Sequence, residues 1–339
     1  MTRSCLVALF GAVALAVSLP AAAGAQDVPR TPWGDPDLQG TYTNKTITPL
    51  ERPEALGDKA FLTDEEVSAQ EQARVDRNRE LLLAPPRRTV AGGNVGAYNN
   101  FWLDGGTRPT RRTSLIVDPP NGRLPARTAE AAKLKMAHDE AHPAAGPYES
   151  WADLELNDRC LVWSAGPPML PSAYNNNFIV AQTPGYVAIY VEMIHDVRII
   201  PLDGREHVPT GIRQWLGDSR GRWEGDTLVV ETTNLRRTSA HAGAAGGDPI
   251  LLRMANGRTD DTITVTERFT RVDATTLNYE FTIEDPTHWT APFSGEFPFT
   301  AFPADELPFL YEYACHEGNY SMPNILGGER ALERAAALQ

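Results

Sequence analysis

In the second half of the chain, apolar residues fall on every second position. Leu277, Tyr279, Phe281 and Ile283 alternate with Asn278, Glu280 and Thr282. Ile263, Val265 and Phe269 alternate with polar residues in the same way. Phe293, Phe297 and Phe299 share one parity, as do Phe309, Tyr311 and Tyr313. A period of two predicts strands with one wet face. Brief turns such as Asp273-Ala274-Thr275 make neighbouring strands antiparallel. Val187 to Val191, apolar apart from Tyr190, predicts a buried strand. Asp226 to Thr232 predicts another, entered through the turn at Glu224-Gly225-Asp226. Several such strands curl up to remove their edges. The expected fold is mainly β: an antiparallel β-barrel or sandwich, lipocalin-like, over residues 151–325.

Residues 26–150 read differently. Trp33-Gly34-Asp35-Pro36 and Leu38-Gln39-Gly40-Thr41-Tyr42 look like turns, the second entering a strand. Thr63-Asp64-Glu65-Glu66 is a capping box, so a helix should run to about Leu83, where Pro85-Pro86 stops it. A second helix is expected over 128–140. The pattern predicts an irregular N-terminal extension carrying two helices and wrapping the β domain. A helical tail over 326–339 follows the barrel.

Several strings are longer than secondary structure requires. They include Pro32-Trp33-Gly34-Asp35-Pro36-Asp37-Leu38-Gln39-Gly40, Ser114-Leu115-Ile116-Val117-Asp118-Pro119-Pro120 and Asp158-Arg159-Cys160. Tyr174-Asn175-Asn176-Asn177, Glu192-Met193-Ile194-His195-Asp196, the stretch from Trp215 to Asp226, and Tyr313-Ala314-Cys315-His316-Glu317-Gly318-Asn319-Tyr320 continue the set. In these the chain resembles a family of exported soil-bacterial proteins that has no assigned reaction. The resemblance implies an exported single-unit protein and carries no catalytic residue with it.

Charge and cysteines narrow the class. The 339 residues are 42% hydrophobic, enough for a sizeable core, and carry a net charge of −13. That acidic balance argues against general nucleic-acid binding. Arg3 is the single charge in the first 25 residues. An apolar stretch from Cys5 to Leu19 and small residues through Ala25 give the order of a secretory signal. Cleavage after Ala25 would leave a periplasmic or secreted chain starting at Gln26, and no other apolar run is long enough to span a membrane. Cleavage removes Cys5 and leaves Cys160 and Cys315, which should pair in an oxidising compartment. Closing so long a loop is worth about 4–5 kcal/mol by chain entropy.

Four constellations could carry chemistry. If the strand ending at Val191 continues, Glu192, Asp196 and Arg198 share one face and Met193, His195 and Val197 the other. That places acid, base and cation beside an apolar strand, where unpaired charge is expensive. If Tyr311 to Glu317 is a strand, Glu312 and His316 share a face next to the Cys315 staple. The stretch from Trp215 to Asp226 offers Asp218 and Arg220 at a ligand mouth, or Trp223 as a barrel plug. Tyr98-Asn99-Asn100-Phe101-Trp102 and Tyr174-Asn175-Asn176-Asn177-Phe178 combine amides with aromatic faces.

No Gly-x-Ser-x-Gly elbow, His-Glu-x-x-His, phosphate loop or dinucleotide fingerprint is present. The residues therefore call for no cofactor and no metal. The expected function is an exported hydrolase or lyase acting on a small organic molecule. His195 and His316 would be acid and base, with Glu192, Asp196 and Glu317 orienting or exchanging protons. Arg198, Asp218, Arg220, Asn176 and Tyr313 would contact the substrate. The alternative is a lipocalin-like periplasmic binding protein for a small hydrophobic or aromatic ligand. The two readings separate on the barrel interior. Phe281, Phe297, Tyr311 and Tyr313 inside imply binding or plain core, and His195, His316 and carboxylates inside imply chemistry. Oligomeric state stays open.

Overall fold

The computed structural model describes residues 28–84, 104–141, 148–154, 158–162, 166–236, 263–303 and 310–338. The signal segment, the stop at Pro85-Pro86, the aromatic-amide run at 98–102 and Phe309 lie outside the described residues. Ten strands form one antiparallel sheet: β1 (Gly40–Thr43), β2 (Ile116–Asp118), β3 (Asn177–Thr183), β4 (Tyr186–Val191), β5 (Val197–Pro201), β6 (Asp218–Glu224), β7 (Thr227–Thr233), β8 (Thr264–Arg271), β9 (Thr276–Glu284) and β10 (Phe293–Ala301). The order is β5-β4-β3-β1-β10-β9-β8-β7-β6, with β2 also on β10. The sheet curls into a nearly closed barrel, and its end strands β5 and β6 come side by side.

The alternation read from the sequence sets the register. Phe269 lies opposite Tyr279, Tyr279 opposite Phe297, and Leu277 opposite Phe299. All of these side chains point inward and are buried. Tyr279 stacks on Phe299 at 4.6 Å between ring centroids, and Phe178 meets Phe299 edge-on at 4.8 Å. Such ring geometries add to burial. They fill the barrel axis, so it is a core and not a channel.

The N-terminal part is woven into this sheet. β1 lies between β3 and β10, with Tyr42 opposite Phe178. β1 meets the end of β10 at Thr300 and Ala301, and β2 meets its start at Ser294 and Gly295. Together the two short strands fill one strand position. Helix α1 (Asp64–Leu83) starts at the Thr63–Glu66 capping box and buries only Val67 against the body. Helix α2 (Ala129–Ala141) is tied down at its start. Thr128 Oγ1 donates to the Thr287 carbonyl at 2.7 Å, beside the buried Asp285–His288 pair at 2.9 Å.

Two expectations need correction. Residues 310–314 form no strand, and Tyr311 is exposed, because no strand among the described residues lies beside this stretch to share hydrogen bonds with it. The C-terminal helix α3 (Ser321–Ala336) begins earlier than the expected 326.

Gly295 sits where the β10 register shifts between its β2 contacts. A Cβ there would meet the Phe281 ring at 2.2 and 2.3 Å. A rigid aromatic ring cannot give way cheaply. Gly295→Ala should therefore cost about 1–3 kcal/mol in urea denaturation, and an unchanged midpoint would show that the ring is not held.

Candidate functional site

Three polar groupings stand out around the barrel. The innermost centres on Arg198 of β5 and Glu267 of β8, both fully inside. Arg198 Nη1 donates to Glu267 Oε1 at 3.0 Å, and Nη2 bonds Glu267 Oε2. Nη2 also reaches Ser219 Oγ and Thr232 Oγ1, each at 3.4 Å. The Tyr279 hydroxyl donates to Glu267 Oε1 at 2.9 Å and accepts from the Met169 amide at 2.8 Å. Burial pushes the Arg198 pKa down, but the Glu267 carboxylate outweighs it and holds the group above its ordinary value. Burial, reinforced by Glu267, drives the Tyr279 hydroxyl well above its usual range. The result is an ion pair sealed among rings. The expectation that Arg198 contacts substrate fails here, because the side chain has no solvent access.

The second grouping is the turn between β4 and β5. The strand ending at Val191 does not continue, so Glu192, Asp196 and Arg198 do not share a face. A single 3-10 turn spans Met193–His195. Ile194 (φ 59°) and His195 (φ 48°) both adopt left-handed backbone. Two successive non-glycine residues there are costly, the more so for a β-branched one. Burial of Met193 and Ile194 against the core holds the turn in place. The Val191 amide donates to the Asp196 carbonyl at 2.8 Å, and Asn177 Nδ2 donates to the buried Glu192 carboxylate at 2.8 Å.

This turn projects His195 outward, exposed. Its Nδ1 lies 2.9 Å from the Tyr313 carbonyl oxygen. A carbonyl only accepts, so Nδ1 donates to it. Beside it, burial raises the Asp196 carboxyl to about 6, with the neighbouring His195 pulling the other way. One Asp196 oxygen, Oδ2, is buried without a hydrogen-bond partner, which also favours the protonated form. A ring whose Nδ1 is held by a backbone carbonyl thus adjoins a carboxylic acid raised to about 6.

The third grouping is on the outer wall of β6 and β7. Asp218 is buried there and pairs with Arg220 at 2.7 Å and with His207 Nδ1 at 2.9 Å, while His207 Nε2 faces Glu231 at 3.2 Å. The Trp215 to Asp226 string thus builds a clasp for the loop after β5. His207 was not among the residues singled out in the sequence, and no spacing marks it.

The remaining candidates scatter. His316 and Glu317 lie exposed in the turn after Cys315, away from any strand face. Asn176 is buried and engaged: it accepts from the Ser172 amide at 2.7 Å and donates to its carbonyl at 2.9 Å. Tyr313 contributes its carbonyl. Cys160 and Cys315 form a disulfide across 155 residues. Two cavities among the described residues are small: one of about 90 Å³ on the outer wall around Thr282 and Glu296, and one of about 10 Å³ beside Asn44 and Phe178. Organic ligands usually need several hundred Å³. Among the described residues, no three His, Cys, Asp or Glu side chains converge as metal ligands. No helix among them is long and apolar enough to cross a membrane.

Compared with protein-family models, curated proteins and solved structures, the chain has no match.

Two expectations follow. Glu267→Gln leaves Arg198 buried and unbalanced, and should cost about 3–5 kcal/mol in urea denaturation. Replacing both partners, as in Arg198→Met with Glu267→Leu, should cost far less than the sum of the two single replacements; a double loss equal to that sum would show that the two groups are not energetically coupled. The raised Asp196 pKa gives a second test. The unfolded chain ionises first, so stability should fall as pH rises from 3.8 to about 6 and then level off. Asp196→Asn should be more stable than the parent at about pH 7, with the advantage vanishing toward about pH 4. A constant difference across that range would rule out the raised value.

Proposed function

We propose that the chain is an exported enzyme that acts on a small organic molecule by acid–base hydrolysis or elimination, with its working groups at the Glu192–Asp196 turn. The observation that carries this reading is a strained turn that presents His195 in one tautomer beside a near-neutral Asp196. His195 Nε2 takes a proton, from water in hydrolysis or from carbon in elimination. Asp196, protonated, gives one to the leaving group. Solvent then exchanges the two protons and resets the pair. An acid whose environment brings it near the working pH, beside a ring nitrogen that can take a proton, is what such chemistry needs.

Glu192 sits behind this pair as a positioning residue, gripped by Asn177. The filled barrel axis means that substrate meets the turn from outside. It also weakens the lipocalin-like alternative, since Phe281 and Phe297 line a packed core. A carrier would have to bind elsewhere. Export rests on the N-terminal signal pattern, with which the disulfide is compatible.

The test is to incubate residues 26–339 with pooled glycosides, esters, lactones and aromatic metabolites, followed by mass spectrometry. Turnover beyond the protein concentration, with a new product mass, is the expected outcome. His195→Gln and Asp196→Asn should each reduce it by about 10²–10⁴-fold without lowering the melting temperature. With Asp196 as the acid, kcat/KM should fall as pH rises through about 6. Loss capped at the protein concentration would make the chain a carrier, and full activity in both variants would sink the assignment.

A further inference from the structure

The Tyr313 carbonyl that fixes His195 belongs to a stretch with no helix or strand of its own. Residues 310–319 reach the body of the protein through the Tyr313 side chain, which packs against the core, through further side chains and through one covalent bond. Cys315 is bonded to Cys160, and Asn319 Nδ2 donates to the Asp158 carbonyl at 2.6 Å and to Cys160 Sγ at 3.4 Å. Both tethers therefore end on the same short segment, 158–160. Cys160 is buried, and its backbone is left-handed at φ 54°. The carbonyl itself accepts twice: from the Cys315 amide at 2.8 Å and from His195 Nδ1 at 2.9 Å. The residue that carries the disulfide is thus the one that aims the Tyr313 oxygen. The half-exposed Cys315 side makes the bond open to attack, while Cys160 lies beneath it.

Resting on the acid–base reading of His195, we propose that the Cys160–Cys315 bond is a redox control of that site. Oxidised, it holds Tyr313 against Nδ1 and leaves Nε2 as the base. A dithiol reductant attacks Cys315 Sγ, forms a mixed disulfide and expels the Cys160 thiolate, which takes a proton. The second thiol of the reductant then closes its own disulfide and releases Cys315 as a thiol. Two electrons and two protons pass to the protein. With its covalent hold gone, Cys315 no longer aims the carbonyl, although Asn319 and the Tyr313 side chain keep their contacts; His195 loses its fixed tautomer, and the base is disarmed while the barrel stays folded.

The test does not need a known substrate. Nitrogen-15 NMR of the imidazoles, with His195 assigned by its loss in His195→Gln, reads the tautomer directly. It is run on the oxidised protein, on protein reduced with dithiothreitol, and on the Cys160→Ser, Cys315→Ser double variant. Methyl signals of Val265 and Ile283 report the barrel. The expected result is Nδ1–H in the oxidised protein and a mixed or Nε2–H population in the other two, with barrel methyls unchanged. An unchanged tautomer on reduction overturns the proposal. So does collapse of the barrel methyls, which would make the bond a general staple and not a local control. Once a substrate is known, reduction should lower turnover by on the order of 10²–10⁴-fold, and reoxidation should restore it. If the oxidised protein turns over nothing while the tautomer still switches, the acid–base reading fails and the redox control of the ring stands.

Discussion

Where β5 meets β6, no backbone ladder joins the two ends of the sheet, and the guanidinium of Arg198 spans the gap instead. From β5 it reaches Ser219 on β6, Thr232 on β7 and Glu267 on β8. Gly221 lets the two strands approach: a Cβ there would meet Leu202 Cδ2 at 2.5 Å and Ile200 Cγ2 at 2.8 Å. Side-chain bonds and close packing together stand in for the missing ladder. A buried ion pair contributes little net energy compared with apolar residues of the same size. Its value here is geometric. An arginine fork accepts a carboxylate in one orientation, so the position of β5 against β8 is fixed, and the barrel closes in one register.

That constraint is passed on to the turn. Asp196 precedes Arg198 by two residues, and Val191, at the end of β4, closes the turn through the Asp196 carbonyl. Both ends of the segment 192–196 are therefore held by strands whose places are already set. Five residues must reverse direction between them and bury Met193 and Ile194 as they do so. Left-handed backbone at Ile194 and His195 is the consequence. Strain of this kind, of order 1–3 kcal/mol per residue, survives only because the surroundings over-determine the path. It turns His195 outward and leaves Asp196 half inside, which separates their environments.

The barrel was legible in the sequence because burial on one face leaves a period-two signature, and β8, β9 and β10 carry it plainly. The helices were legible from the Thr63–Glu66 capping box and from prolines. The pairing of Cys160 with Cys315 followed from counting thiols. What escaped was decided by tertiary contact. Glu267 occupies an inward position between Val265 and Phe269, and that break in the parity is a signal that marks a buried charge needing a partner. The turn at 192–196 could not be separated from a continuing strand, since Met193 and Ile194 read as strand residues and owe their conformation to the core. His207 gives no local sign, because its partners Asp218 and Glu231 lie 11 and 24 residues away.

The division of labour between the two ionisable groupings follows from the dielectric around each. At the axis, charges are stable only as a matched pair, and the Glu267 carboxylate holds the Arg198 guanidinium above its ordinary pKa. Such a pair can hold a fold in register. At the rim, burial raises the Asp196 carboxyl to about 6 against the pull of His195, whose ring is exposed. Proton transfer requires groups that can exist in both states at the working pH. In this barrel the carboxyl with such a value, Asp196, sits where the chain leaves the sheet, and the sealed pair inside is what keeps that exit in one place.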